Sequence, residues 1–298
     1  MIYRGRFAPS PTGALHLGSL LVAVGSWLRA RSQRGVWIVR IEDLDPAREV
    51  PGAARAILDT LAGFGLLSDE PVWYQSQRAE VYAAVLLRLK NLGLAFACGC
   101  SRSDLQKNHG LHLHVCDAPQ DPASQPAWRM RAPDQVIRFD DLLQGPQQQN
   151  LRAEVGDFIV HRTEGHAAYQ LAVVVDDAAQ GITEVMRGAD LIDSTARQIF
   201  LQHTLDFATP DYLHLPLLLD AQGQKLSKQN SSLAVDARDP LPALRAVLHL
   251  LGIDAERLPR AASVDALLHA AIGLFDVVRL PRVGSMAEPM LHPPNANE

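Results

Sequence analysis

The apolar positions of this chain change period repeatedly, and the changes mark successive strands and helices. Ile2 to Phe7 is short and apolar enough for a strand. Pro9, Pro11 and Gly13 break it, and a helical period sets in near Ala14 and runs to Ala30. The run VWIVRI, Val36 to Ile41, reads as a buried strand, and a helix follows over Gly52 to Phe64. A further helix is predicted from Arg78 to Leu92, with Val81, Val85, Leu86, Leu89 and Leu92 facing the core. Residues 117–149 are rich in Pro, Gln and Asp and read as a loop-heavy insertion. It carries short strands at Trp128 to Arg131 and Val136 to Phe139 and a solvated turn at Gln147 to Gln149. Order returns with Phe158 to Val160 and Leu171 to Val175, two runs predicted as strands on either side of Gly165, and with the strand GITEVMRG. The pattern then predicts a helix over Ile192 to Leu205, capped by Ser194, and a buried strand over Leu215 to Leu219. Two helices, Pro240 to Leu251 and Val264 to Leu274, precede a tail from Arg282 whose end is expected to be disordered. Strands and helices that alternate before and after an insertion imply an α/β fold. Its sheet begins near residue 3 and is completed beyond residue 157.

Composition adds limits. With 298 residues and 47% hydrophobic content the chain can bury a sizeable core and is expected to form two or three units. No apolar run is long enough to span a bilayer, which points to a soluble cytoplasmic protein with no membrane partner. Arg4 and Arg6 ahead of an apolar stretch would suit a signal peptide, but two prolines, a glycine and a histidine interrupt the core that such a peptide needs. The formal net charge is −5, and residues 157–230 hold ten acidic against five basic side chains. A broad basic surface is excluded, and any RNA contact is expected in the first half.

All three cysteines, Cys98, Cys100 and Cys116, lie within nineteen residues of one another. An odd, clustered set argues against a disulfide framework and for thiolate metal ligands. Zinc takes four nitrogen or sulfur ligands in a tetrahedron, and His109, His112 and His114 stand near enough to supply the fourth. Elsewhere the candidate chemistry gathers at strand ends. The loop and helix start within Arg6 to Ala30 leave backbone N–H groups unpaired, a geometry that suits a phosphate, and His16 and Ser19 lie one turn apart there. Glu42, Asp43 and Asp45 follow a buried strand, where open α/β sheets bind ligands. Of these, Asp45, next to Pro46, reads as part of a structural turn capping the following helix, and Glu42 as the functional candidate. Arg187, just before Gly188, could set its planar fork on a carboxylate, as could Arg6.

Three motifs carry a family resemblance. RFAPSPTGALHLGS resembles the first signature of the glutamyl type of class I aminoacyl-tRNA synthetases, in which R-x-A-P-S-P-T-G precedes a HIGH-like element; Ser19 stands here for its second histidine. Lys225 to Gln229, KLSKQ, resembles the KMSKS loop of the same class, with Gln229 in the last place. The C-x-C pair, with a third ligand twelve residues on and a last cysteine four further, is similar to the zinc site of the glutamyl-Q branch. That spacing lands on His112 and Cys116. The resemblance covers nearly the whole chain.

It implies a Rossmann-type parallel-sheet nucleotide-binding domain in two halves, 1–75 and 157–230. A zinc-containing insertion, 76–156, interrupts it, and a small helical C-terminal region, 231–298, follows. It implies glutamate bound by Arg6, Phe7, Ala8, Pro9, Ser10, Glu42, Tyr169 and Arg187. Arg6 and Tyr169 would face the side-chain carboxylate, Arg187 the α-carboxylate and Glu42 the α-ammonium group. ATP, with Mg²⁺ on its phosphates, is implied at Ser10, Thr12, Gly13, His16, Gly18, Ser19, Lys225 and Lys228, with His16 and Lys228 catalytic. One structural Zn²⁺ is implied on Cys98, Cys100, His112 and Cys116. The activity implied is ATP-dependent formation of glutamyl-adenylate without tRNA, then transfer of glutamate to queuosine in the anticodon wobble position of tRNA(Asp), by a monomer. After Gln229 come 69 residues, too few for the helical region with which a full glutamyl-tRNA synthetase reads the anticodon. The alternatives are a minimal glutamyl-tRNA synthetase charging tRNA(Glu), a nucleotidyltransferase that activates a small acid without RNA, and a zinc-stapled RNA-binding module without catalysis.

Overall fold

A computed structural model describes residues 2–116, 126–220, 222–224, 234–260 and 263–289. Strand β1 (Arg4–Phe7) leads through a proline-rich loop into α1 (Leu17–Ser32). The helix begins three residues later than its apolar period because Gly13 holds φ at +136° and His16 is extended. The His16 ring accepts the Ser19 N–H and so caps the helix itself. Strand β2 (Val36–Ile41) lies parallel between β1 and β3 (Trp73–Tyr74), with α2 (Ala53–Gly63) as the crossover.

The chain continues through α3 (Ala79–Asn91), β4 (Ala95–Cys98), α4 (Arg102–Gln106) and β5 (Ala127–Met130) to a hairpin of β6 (Val136–Asp141) and β7 (Gly145–Asn150). Then come β8 (Phe158–His161), α5 (Tyr169–Ala179), β9 (Glu184–Gly188), α6 (Ile192–Leu205), β10 (Asp211–Leu215) and β11 (Leu217–Leu219). Helices α7 (Leu241–Leu250) and α8 (Val264–Ile272) and strand β12 (Ser285–Ala287), paired to β11, complete the described α-helices and strands.

Two parallel sheets meet edge to edge. One has the order β1-β2-β3 and the other β7-β6-β10-β9, with only β7 antiparallel. At the seam the Thr183 N–H donates to the Arg4 carbonyl and the Arg4 N–H to the Thr183 hydroxyl, each at 2.9 Å. Strand order reverses direction there, between β1 and β9, which opens a crevice beyond the carboxyl ends of both strands. A third sheet, β4-β5-β8, is antiparallel. Because β8 pairs with β5 and β6 with β10, residues 76–156 and 157–230 share two sheets.

Several local expectations are corrected. Leu171 to Val175 is not a strand but the centre of α5, with all five side chains buried. A short apolar run buried on every side shows no helical period, so β-branched content alone suggests a strand. Gln147 to Gln149 is no turn; it is the edge strand β7, paired with Ile137 to Phe139, and its polar face suits an edge. Pro216, lacking an N–H, splits the strand expected over Leu215 to Leu219 into β10 and β11. Ser194 lies inside α6 rather than capping it, and accepts a hydrogen bond from Gln170. In α3 the buried stripe is Tyr82, Leu86 and Leu89, while Val81 and Leu92 are exposed.

The main core surrounds α1, whose Leu20, Leu21, Val24 and Leu28 are fully buried between the parallel sheet and α7 and α8. Gly25 lets these layers close: a Cβ there would lie 3.2 Å from Leu215 and 3.3 Å from Leu251. The C-terminal helices therefore brace the helix that presents His16. Replacing Leu28 by Ala should cost about 2–5 kcal/mol through lost burial and an unfilled cavity. Equilibrium urea unfolding checks this through a lower midpoint at unchanged slope.

Candidate active site

The crevice at the β1/β9 seam holds a cavity of about 540 Å³. Its wall includes Arg6, Phe7, Ala8, Pro9, Ser10, Glu42, Tyr169 and Arg187, the whole set expected around glutamate, together with Thr12, His16, Gly18 and Ser19 from the expected nucleotide set. Gly13 is not part of the wall. Lys225 and Lys228 lie outside the described residues. The cavity also takes in Val22, Arg48, Met186, Gly188, Asp190, Leu191 and Pro216 to Leu218, which carried no motif in the sequence.

Arg6, Glu42 and Arg187, the charged candidates expected around glutamate, each meet buried partners behind the wall. Arg6, at the end of β1, is buried and donates through Nε and Nη2 to the Asp177 carboxylate at 3.1 and 3.2 Å. Arg40, from β2, donates to the same carboxylate at 2.7 Å and to the Gln180 side chain at 2.6 Å. Burial alone would raise the Asp177 carboxyl, but Arg6 and Arg40 pull it below the ordinary carboxylate range. Asp176, one residue earlier, accepts from Gln75, Arg78 and Tyr82. Glu42 follows β2 directly and meets Arg40 at 3.4 Å. Burial raises its pKa, and Arg40 and Arg6 only partly offset that. No pattern in the sequence announced Arg40, Asp176 or Asp177, since charged residues within a buried strand or helix read as breaks in apolar character.

Arg187, at the end of β9, spends its donors on Gln198 Oε1 at 2.8 Å, Thr195 Oγ1 at 2.9 Å, His214 Nε2 at 3.0 Å, the Leu191 carbonyl at 3.2 Å and Tyr169 Oη at 3.3 Å. The last two are the longest, and they are the ones that an incoming carboxylate could share. His16 meets Ser19 twice, with Nδ1 accepting the Ser19 N–H at 3.3 Å and Nε2 3.1 Å from its hydroxyl. The imidazole lies over Gly18, where any Cβ would come within 3.1 Å of the ring. The cavity thus combines cationic and carboxylate groups with a helix N-terminus, and it can hold an amino acid beside an anion.

A second cluster lies where β4 ends. One donor atom from each of Cys98, Cys100, His112 and Cys116 falls within 4.8 Å of the others. The Cys100 and Cys116 sulfurs are 3.7 Å apart, close to the edge of a tetrahedron with bonds of about 2.3 Å. His112 is buried, and its Nδ1 bonds Asp157 Oδ2 at 3.0 Å, which turns Nε2 toward Cys100 at 3.7 Å. His114 also reaches Cys100, at 3.4 Å, and stacks on the His112 ring. Arg129 and the Cys100 N–H both donate to Cys98 Sγ, as suits a thiolate. Asp157 is the anchor, since its other oxygen accepts from the Ala132 N–H and Arg152. Next to it Gly156 has φ +68°, and a Cβ there would meet the His112 carbonyl at 2.8 Å. The donor set fits a metal ion, closed to further ligands. Asp157→Asn should weaken metal retention about 10–100-fold by loosening His112. Titration of the holoprotein with a competing chelator measures it, and unchanged retention would count against the anchoring role.

The comparisons agree with this geometry. A family model described as tRNA synthetases class I (E and Q), catalytic domain, matches residues 3–122 and 111–263. The chain is 56% identical over 285 residues to a glutamyl-Q tRNA(Asp) synthetase of Xanthomonas campestris pv. campestris (strain 8004), covering 95% of each chain. It is 51% identical over 294 residues to another of Burkholderia cenocepacia (strain HI2424), covering 95% of this chain and 99% of that one. Its fold is similar to that of a glutamate tRNA ligase from Elizabethkingia meningosepticum CCUG26117, crystallised in complex with its amino acid. There the TM-score is 0.80 at 23% identity, covering 97% of this chain and 67% of that one. With the signature loop, the seam cavity and these relatives in agreement, the chain belongs to the glutamyl-Q tRNA(Asp) synthetase family, within the class I (E and Q) tRNA synthetases.

Proposed function

We propose that the protein activates L-glutamate with ATP as an enzyme-bound glutamyl-adenylate and transfers the glutamyl group to queuosine at the wobble position of tRNA(Asp). The observation that carries this is one cavity in which Arg6, Glu42, Tyr169 and Arg187 stand beside the N-terminus of α1. In this reading Glu42 receives the α-ammonium group, Arg187 the α-carboxylate, and Arg6 with Tyr169 the side-chain carboxylate. Glutamine offers no anion to Arg6, so charge selects glutamate; a hydrogen bond to a charged group is worth about 1.5–3 kcal/mol.

The α-carboxylate then attacks the α-phosphorus of ATP in line. The new C(O)–O–P bond forms as the bond to pyrophosphate breaks. The chain's task is to align the reactants and neutralise the charge that develops. Thr12, Gly13, Gly18 and Ser19 would hold the nucleotide with His16, and Lys225 and Lys228 would meet the leaving pyrophosphate. Mg²⁺ arriving with ATP would shield the phosphate charge. The metal at Cys98, Cys100, His112 and Cys116 is taken to be Zn²⁺, a structural ion because four protein ligands leave no open position. On this reading the ion displaced in the chelator titration is zinc, about one per chain.

Two measurements test the reading. Labelled glutamate and ATP should label total tRNA from cells that make queuosine and leave tRNA from cells without it blank. Equal labelling of both pools would instead establish charging of tRNA(Glu), the minimal-synthetase alternative. Glutamate-dependent ATP–pyrophosphate exchange should proceed without RNA. Its KM for glutamate should rise as pH falls, starting above the ordinary carboxylate range, because burial raises the Glu42 pKa and protonation removes the charge that holds the ammonium group. In Glu42→Gln the KM should be high and indifferent to acid. A variant that kept the unaltered profile would show that Glu42 does not face the substrate.

A further inference from the structure

Arg187 reaches the cavity from β9, and the register of the parallel pair sets His214 of β10 directly beside it. Behind His214 stands Asp141, the last residue of β6. All three are buried, and neither His214 nor Asp141 is part of the cavity wall. Arg187 Nε–H donates to His214 Nε2 at 3.0 Å, and His214 Nδ1 meets Asp141 Oδ2 at 2.6 Å. Asp141 Oδ1 is itself fixed, accepting the backbone N–H groups of Gln144 at 2.8 Å, Leu143 at 3.0 Å and His214 at 3.3 Å.

His214 Nε2 has two neighbours: Arg187 Nε–H at 3.0 Å, which can only donate, and Thr195 Oγ1 at 3.4 Å, a hydroxyl that can donate as well as accept. A guanidinium has only donors, so His214 Nε2 must carry a lone pair, and the imidazole proton must sit on Nδ1, facing the carboxylate. We infer that Asp141 and His214 are positioning residues: the carboxylate fixes the imidazole tautomer, and the imidazole holds Arg187 in place at the cavity. Burial and the neighbouring Arg187 keep His214 below the usual histidine range, so it stays neutral. Burial opposes ionisation of Asp141, but its bonds from His214 and the backbone hold it below the ordinary carboxylate range. Asp141 acts on the substrate only through two other side chains, which is why it leaves no motif. The inference rests on the reading of Arg187 as a ligand of the amino acid.

Asp141→Asn isolates the effect. The three backbone donors keep the amide oxygen where Oδ1 was, so the NH₂ group turns to His214 Nδ1. The imidazole proton must then move to Nε2, where it confronts Arg187 Nε–H donor to donor. In ATP–pyrophosphate exchange the KM for glutamate should rise about ten- to a hundredfold, with the KM for ATP little changed. An unchanged glutamate KM in Asp141→Asn would overturn the inference. Imidazole ¹⁵N shifts of the unaltered protein give a reading independent of activity. They should place the lone pair of His214 on Nε2, and a protonated Nε2 would sink the idea even if Asp141→Asn failed to fold. Absence of glutamate-dependent exchange in the unaltered protein would instead refute the proposed function, while the ¹⁵N shifts still judged the tautomer.

Discussion

The carboxylate of Asp177, clamped between Arg6 and Arg40, is the interaction on which the site depends. It comes from α5, in the second half of the chain, and its partners come from β1 and β2, in the first. Burying three charges is costly, and such a pair adds little net stability over an apolar packing of equal volume. Removing one partner is a different matter, because a stranded buried charge costs several kcal/mol. The cluster therefore acts less as glue than as a register pin. With Asp177 seated, Tyr169 at the start of the same helix and Glu42 just after β2 both reach the wall of one cavity.

The same logic recurs one strand further along. Asp141, His214 and Arg187 run across β6, β10 and β9, each polar group satisfied by the next. In both clusters the charged group that meets the cavity is oriented by buried partners that never meet it. Rigid donors of this kind cost no reorganisation when substrate charge arrives. The metal cluster follows suit: His112 is aimed by Asp157, at the entry to β8, and β8 pairs with β5. The segment bearing the cysteines is thereby tied to the third sheet, whose strand β8 precedes α5 and its first residue, Tyr169, in the cavity wall.

Much of this was legible in the sequence where local chemistry decides it. The turn of Pro9, Pro11 and Gly13 before α1, the C-x-C pair and the glycine after Arg187 are punctuated by residues whose backbone or ligand preferences are strong. Helix α6 was legible to the residue from its period. Leu171 to Val175 was not, because a helix buried all round loses the polar face that betrays it. Nor was β7, whose glutamines mimic a turn while filling the exposed edge of a sheet.

The sequence by itself determined the α/β class, through its alternating strand and helix periods, and the loop and helix start after β1, through Pro9, Pro11 and Gly13; the family resemblance named the glutamate and nucleotide candidates, while Val22, Arg48, Met186 and Pro216 to Leu218 of the cavity wall went unmarked. Tertiary structure alone decided which buried acid serves which arginine, and that the seam lies between β1 and β9. It alone put Asp141 behind Arg187, 46 positions away along the chain. The physical reason is that charge pairing in the interior is set by distance in space across strands. Nothing in a residue's neighbours along the chain records which opposite charge the fold will bring within 3 Å of it.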